Sequence, residues 1–579
     1  MLPGPVFIGE LRTTARCARH YVARTILGFV LLVVIGCVYR LVAIESDAAD
    51  GTLMGEALQR FASMCYVGII VTQGIAVVAF TPAIVAGTVA GERARRTLHD
   101  LLASDLTSAE IVLGKLAGRL LDVFVLMSVG LPILSMLTLL GGVDPGEVAT
   151  IFLAIVAVAL FLGGLSIFAS TLARGPREAV IASYVITGLW LALPPLLEGP
   201  IRADWPRLYA AVEPVEHYLA MTNPFAAAGR PANALRMAGL LAIAGIILAL
   251  AAVVALRPVA RFQESRGPRQ RQRWRWRHRP DCGEDPMAWK ERHILPQRGI
   301  LGAVVRVAVV LLAIGLAVAL WEPAVAAVRE TYESGYGETK YGLACQFNEM
   351  LRIVGTIYYV LIMVCVSASS AGSITSEREA ETWLSLVASP LEGREILRAK
   401  RAGVRKRARP LVALLISLWL LGLVSGAIHP LGFLVAVGAS LVYFRFAVAL
   451  GTFVSLISST TGRAIAATVA VLLFVNGGYL LCCLPIASGS ATLLGCTPFL
   501  LAVAPLSYDD ARAFFEFFPT FSMYREGGIL LWAGLASLLC YGIGAFGLNA
   551  WADVEFDRAV SRPTRSGPAS PRISVANQD

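Results

Sequence analysis

ERARRTLHDLLASDLTSAEIVLGKLA (Glu92–Ala117) and EREAETWLSLVASPLEGREILRAKRA (Glu377–Ala402) align without a gap, and eleven of their 26 positions are identical. The matched pairs are Glu92/Glu377, Arg93/Arg378, Thr97/Thr382, Leu101/Leu386, Ala103/Ala388 and Ser104/Ser389. They continue through Leu106/Leu391, Glu110/Glu395, Ile111/Ile396, Lys115/Lys400 and Ala117/Ala402. These stretches are polar, so shared hydrophobicity does not explain the identity. The chain repeats itself at a distance of 285 residues.

The surroundings of the two stretches fix the fold class. Of 579 residues, 56% are hydrophobic and 16% charged, with a mean hydropathy of +0.68. Soluble chains average roughly 45–50% apolar and about 25% charged residues. The apolar residues fall in blocks of about 20, the length that crosses a bilayer as a helix. We read spans at 25–44, 62–90, 117–141, 147–172, 178–197 and 236–256, then at 301–321, 350–374, 408–428, 431–457, 464–487 and 528–548. This predicts an all-α integral membrane protein of about twelve transmembrane helices in two parallel six-helix repeats. Residues 1–256 form the first repeat, 257–285 a basic cytoplasmic linker, 286–552 the second repeat, and 553–579 a C-terminal tail expected to lack structure.

Orientation follows from where Arg and Lys collect, because cytoplasmic connections carry the excess of both. Arg12, Arg16, Arg19 and Arg24 precede the first span; Arg93, Arg95, Arg96 and Lys115 follow the second; Arg398, Lys400, Arg401, Arg405, Lys406, Arg407 and Arg409 follow the eighth. The opposite segments hold Glu45, Asp47, Asp50 and Glu56, and Glu322, Glu330, Glu333, Glu338 and Glu349. Both termini are therefore expected in the cytoplasm. Six spans separate equivalent points, so the repeats share one orientation and a pseudo-two-fold axis along the membrane normal. Weaker echoes support the repeat: Pro5 and Glu10 recur as Pro286 and Glu291, and Ser166, Ser170, Thr171 and Arg174 as Ser455, Ser459, Thr460 and Arg463.

The net charge of +10 is concentrated in nine arginines between Arg257 and Arg279, interleaved with Trp274 and Trp276. Following a span directly, this stretch reads as a linker touching anionic headgroups, with no nucleic acid partner. Ten scattered cysteines without paired spacing argue against a metal site, although Cys345 and Cys496 fall in segments placed outside and a disulfide between them is an open alternative. The segment Ile26–Tyr39 leads into Arg40 without a cleavage pattern, so a retained first span is expected.

Each repeated stretch reads as a short helix, a break and a helix entering the membrane. Thr107 and Glu110 have capping-box spacing, Pro390 marks the same break in the second copy, and Leu98, Leu101 and Leu102, like Leu384 and Val387, fall at helical spacing. The apolar face of such a helix is expected to lie in lipid or on a partner. At these residues the chain resembles the membrane-spanning permeases of ABC type-2 exporters. The resemblance rests on Glu-Arg-x-x-x-Thr-[Leu/Trp]-x-x-Leu, on Ala-Ser-x-Leu and on Glu-Ile-x-x-x-Lys, present in both copies. It implies that the segment is a coupling helix receiving force from an ATPase subunit. The residues that would carry this are Glu92, Arg93, Thr97, Leu101, Leu106, Glu110 and Lys115, and Glu377, Arg378, Thr382, Leu386, Leu391, Glu395 and Lys400. It further likens Pro5–Arg24 and Pro286–Arg298 to connecting helices, and the aromatic-rich segments 198–235 and 488–527 to the family's outer segments. Trp383 and Asp105 depart from the pattern, so the two docking sites need not be equivalent.

No G-x-x-x-x-G-K-[ST] loop occurs; Gly114-Lys115 is followed by Leu116. The chain is thus not expected to be an enzyme or to bind a cofactor or metal itself. ATP would be used by separate cytoplasmic ABC ATPase subunits, expected in two copies, at a bacterial inner membrane. A secondary transporter with parallel repeats is the main alternative, and a structural membrane protein the second. Ion-coupled carriers keep ionisable groups at mid-membrane. Arg40 is placed near the surface and Asp122 beside Arg119. Arg445, 18 residues before Arg463 and about 27 Å away at helical rise, is the candidate pathway residue.

Overall fold

The computed structural model describes residues 5–15, 18–48, 54–139, 143–196, 231–265, 286–293, 307, 310, 320–329, 343–389, 391–428, 430–475 and 526–559. All regular structure among them is helical, as expected where backbone groups must be satisfied within the bilayer. The first half contains α1 (Pro5–Ala15), α2 (Ala18–Ala48), α3 (Met54–Val85), α4 (Thr88–Ala94), α5 (Leu98–Ala103) and α6 (Ser108–Met127). It continues with α7 (Leu131–Leu139), α8 (Pro145–Leu172), α9 (Pro176–Leu196) and α10 (Pro231–Ser265). The second contains α11 (Pro286–His293), α12 (Leu343–Glu379), α13 (Trp383–Val387), α14 (Gly393–Val424), α15 (Pro430–Ile457), α16 (Thr461–Leu473) and α17 (Glu526–Ala559).

Eight described stretches are long and apolar enough to cross a membrane: Leu58–Ala94, Ser108–Leu139, Pro145–Leu172, Leu235–Gln263, Met350–Glu379, Gly393–Val424, Gly432–Ile457 and Gly534–Arg558. The chain is an all-α integral membrane protein. The shorter apolar helices Arg24–Gly36 and Thr461–Leu473 cover part of the predicted spans at 25–44 and 464–487, and α9 covers most of that at 178–197. Most of the span at 301–321, residues 476–487 of that at 464–487, most of the outer segments 198–235 and 488–527, Pro390 and Cys496 lie outside the described residues. Two ends differ from expectation: α10 continues through 257–265 of the basic segment, and α17 through 553–559 of the tail.

Within each half the fourth- and sixth-span helices pack closely, α8 on α10 and α15 on α17. At Gly164 and Gly245 the backbones of α8 and α10 touch so closely that a Cβ on either would overlap the other's main chain. Small residues at such crossings let helices approach without a hydrophobic driving force.

The halves meet reciprocally. α9 packs on α12, and α3 packs on α16, the arrangement a two-fold axis produces. One core crosses this boundary, joining Ala83, Val180 and Tyr184 of the first half to Tyr358, Ile362 and Ile465 of the second. Polar details break the symmetry. The half-buried Arg177 donates from Nη2 to Ser369 Oγ at 2.8 Å and lies against Gly372, whose Cβ would meet it at 2.9 Å. The position equivalent to Arg177 is Gly462. In the second half the buried Glu379 caps α16, accepting from Thr461 N at 3.0 Å and Thr461 Oγ1 at 2.7 Å. The first half has Ala94 at the matching position and starts α9 with Pro176, which has no N–H to cap.

Candidate functional site

Lys115 and Lys400 organise two matching clusters at one end of the bundle. Lys115 Nζ lies 2.9 Å from Glu92 Oε1 and 3.2 Å from Glu10 Oε1. Lys400 Nζ lies 2.5 Å from Glu377 Oε1 and 2.7 Å from Glu291 Oε1. Both lysine side chains are under a tenth exposed. Each cluster ties together the helix before the first span of its half (α1 or α11), the end of the second span and the start of the third. Gly118 and Gly403 make room for the acids, since a Cβ on either would meet the Cβ of Glu10 or Glu291 at 3.0 Å. Lysine is one basic residue in ten here, five against 45 arginines. A compact ammonium can bridge two carboxylates in a tight space where a planar guanidinium does not fit.

A second cation completes each cluster by a different route. Arg119 Nη2 lies 3.0 Å from Glu10 Oε2, and Arg407 Nη1 lies 3.6 Å from Glu291 Oε2. Val404 stands at the position equivalent to Arg119, and Arg407 at that of Asp122, one helical turn on. Asp122 itself lies 3.9 Å from Arg119, the pairing expected from their spacing.

The turn after the second span is built twice from the same bonds. Thr97 Oγ1 donates to Glu92 and Thr382 Oγ1 to Glu377. Arg96 and Glu381 both adopt positive φ, 63° and 57°. Such a backbone is rare for residues other than glycine, and it recurs here 285 residues apart. Arg93 donates to the carbonyls of Ala173 and Thr171, and Arg378 to that of Ser458 at 3.1 Å. These carbonyls end the fourth-span helices, where a cation is favoured.

Ser170 Oγ accepts from Val89 N and Ala90 N at 3.1 and 2.9 Å; Ser455 Oγ accepts from Ile374 N and Thr375 N at 3.0 and 3.2 Å. This corrects the sequence register, which aligned Ser455 with Ser166. A four-residue slip keeps serines on the same helical face, so spacing alone did not separate Ser166 from Ser170.

The short helices do not turn their apolar faces to lipid or to a partner, as expected, but onto the chain's own core. Leu98 is buried, and Leu101, Leu102 and Leu106 pack with Ile111, Val112 and Leu256. In the second copy Trp383, Leu386 and Leu391 pack with Ile396, Leu397 and Phe556. Trp383 meets Phe556 edge-on at 5.5 Å, and the Arg378 guanidinium lies over its ring at 5.0 Å. Leu384, expected on the apolar face, is 78% exposed. Thr107 and Glu110 form the expected capping box, with Thr107 N donating to Glu110 Oε2 at 2.8 Å and Glu110 N to Thr107 Oγ1 at 3.2 Å. Glu395 Oε2 accepts from Glu392 N at 3.1 Å at the matching helix start. Arg445 is exposed on α15.

At one buried contact both partners differ. Leu116 packs with Ala249 and Val253 of α10. Arg401, at the Leu116 position, instead donates to Asn549 and Asp553 of α17. Neither Asp553 nor Glu379 was singled out by the sequence, because each makes sense only beside its distant partner.

No curated protein matches the chain. Residues 17–265 match the model of the family described as ABC-2 family transporter protein, a stretch running from the first-span helix to the last residue of α10. Residues 17–265 of this multi-pass membrane protein are thus similar to an ABC-2 family transporter domain, which supports an ABC transporter permease.

Proposed function

We propose that the chain is the transmembrane subunit of an ATP-driven exporter, working with separate ATPase subunits that dock on the two junctions. Its twelve spans place both termini in the cytoplasm of a cell whose inner membrane houses it. ATP is bound and hydrolysed by the partners. The observation that carries this reading is the duplicated cluster of Lys115 and Lys400. Each joins α1 or α11, the end of its half's second span and the start of the third through buried ion pairs, beside the turn that carries α5 or α13, so a push on that short helix reaches the spans as a rigid displacement. The reciprocal contact of α3 with α16 and α9 with α12 is the boundary that such a displacement would open.

The test is reconstitution. A cytoplasmic ATPase co-purifies with the full chain, and Glu92→Ala combined with Glu377→Ala abolishes ATP-dependent transport while membrane insertion persists. Ion-driven uptake by purified chain with no ATPase bound would establish the secondary-transporter alternative instead.

A further inference from the structure

Buried and exposed differences between the two junctions behave differently. Inside the protein two changes are matched by their neighbours: Leu116 with Val253 becomes Arg401 with Asp553, and Ala94 and Pro176 are replaced by the bonded pair Glu379 and Thr461. On the exposed side of the short helices and the turn before them three positions also change. Arg96 becomes Glu381, His99 becomes Leu384 and Asp100 becomes Ser385, all exposed. The turn that presents Arg96 and Glu381 is kept, down to its positive φ, while the charge it presents is inverted. Leu384 adds an apolar knob, 78% exposed, where the first copy carries His99.

We infer that the two junctions bind two different ATPase chains, one complementary to each, and not two copies of one chain. The inference rests on the docking role proposed above. An ATPase homodimer presents the same surface twice. A residue that complements Arg96 would be acidic and would then face Glu381 across the other contact, and like charges brought together at an interface are a strong deterrent to binding. A hollow that receives Leu384 would bury the charged Asp100 at the other site, at a desolvation cost. The face at α5 suits a subunit with an acidic residue opposite Arg96 and polar groups opposite Asp100. The face at α13 suits one with a basic residue opposite Glu381 and an apolar hollow for Leu384.

The experiment is native mass spectrometry of the full chain, affinity-tagged and extracted in mild detergent from the cells that make it. In parallel, a photo-crosslinking amino acid replaces His99 or Leu384. The expected result is one permease with one copy each of two distinct P-loop ATPase chains, position 99 labelling one and position 384 the other. Two copies of a single ATPase chain, labelled from both positions, overturn the inference and leave the docking role standing. An intact permease with no ATPase chain overturns the docking role and the inference with it.

Discussion

Replacing Lys115 with Met removes the charge and keeps most of the side-chain volume. Glu10 and Glu92 then face each other at a site where the lysine was 8% exposed. Removing one partner from a buried ion pair costs about 3–5 kcal/mol. Two features pull this toward the lower figure: Glu92 is 27% exposed, and Glu10 keeps Arg119 at 3.0 Å. We expect a loss of about 3 kcal/mol at the junction, which is about a hundredfold in the population of the assembled cluster. In proteoliposomes holding the complete transporter, Lys115→Met should lower ATP-dependent transport by at least tenfold while the ATPase still hydrolyses ATP. Thermal unfolding in detergent should fall in the same variant. Converting Glu10 and Glu92 to Gln in the Lys115→Met background removes the uncompensated acids, so it should restore the melting temperature but not the transport. Full transport by Lys115→Met with an unchanged melting temperature would refute the assignment of this cluster as a load-bearing joint.

Other consequences can be measured on stability alone. Ser170→Ala removes the acceptor of two backbone N–H groups at a helix start and should cost about 1–3 kcal/mol, whereas Ser166→Ala should change little; the reverse ranking in thermal melts would support the Ser166/Ser455 register. Glu379→Ala should destabilise the chain by about 1–2 kcal/mol by uncapping α16, and adding Thr461→Pro should recover part of that loss, since the first half uses this pair. A double variant less stable than the single one would contradict the compensation. Gly164→Leu should prevent α8 from closing on α10, read as loss of a monodisperse peak in size-exclusion chromatography; a normal peak would show that the helices do not cross as described.

The membrane class and the repeat were legible because they rest on local features: apolar blocks of spanning length, and eleven identities in a polar stretch. The Thr107/Glu110 cap was readable for the same reason, its partners being three residues apart. The Glu10 and Glu291 echo located the acids, but not that each shares a lysine with a residue on another helix. Much of what stayed hidden depends on partners about 80 or more residues away. Arg93 and Ser170 are fastened across the second and fourth spans, and no periodicity announces that. The burial of Leu98 and the exposure of Leu384 were equally unreadable, because the choice is made by Leu256 and Phe556 arriving from the sixth spans.

Arg177 has a meaning beyond its hydrogen bond to Ser369. In a pair of identical subunits, a substitution at a two-fold boundary is always made twice, and each copy must tolerate the other. Here Arg177 crosses the boundary once, into space left by Gly372, while Gly462 stands at its mirror position against Ala83. Joining the halves in one polypeptide makes single-dose changes possible, so one side of the boundary can be fastened while the other is left to slide.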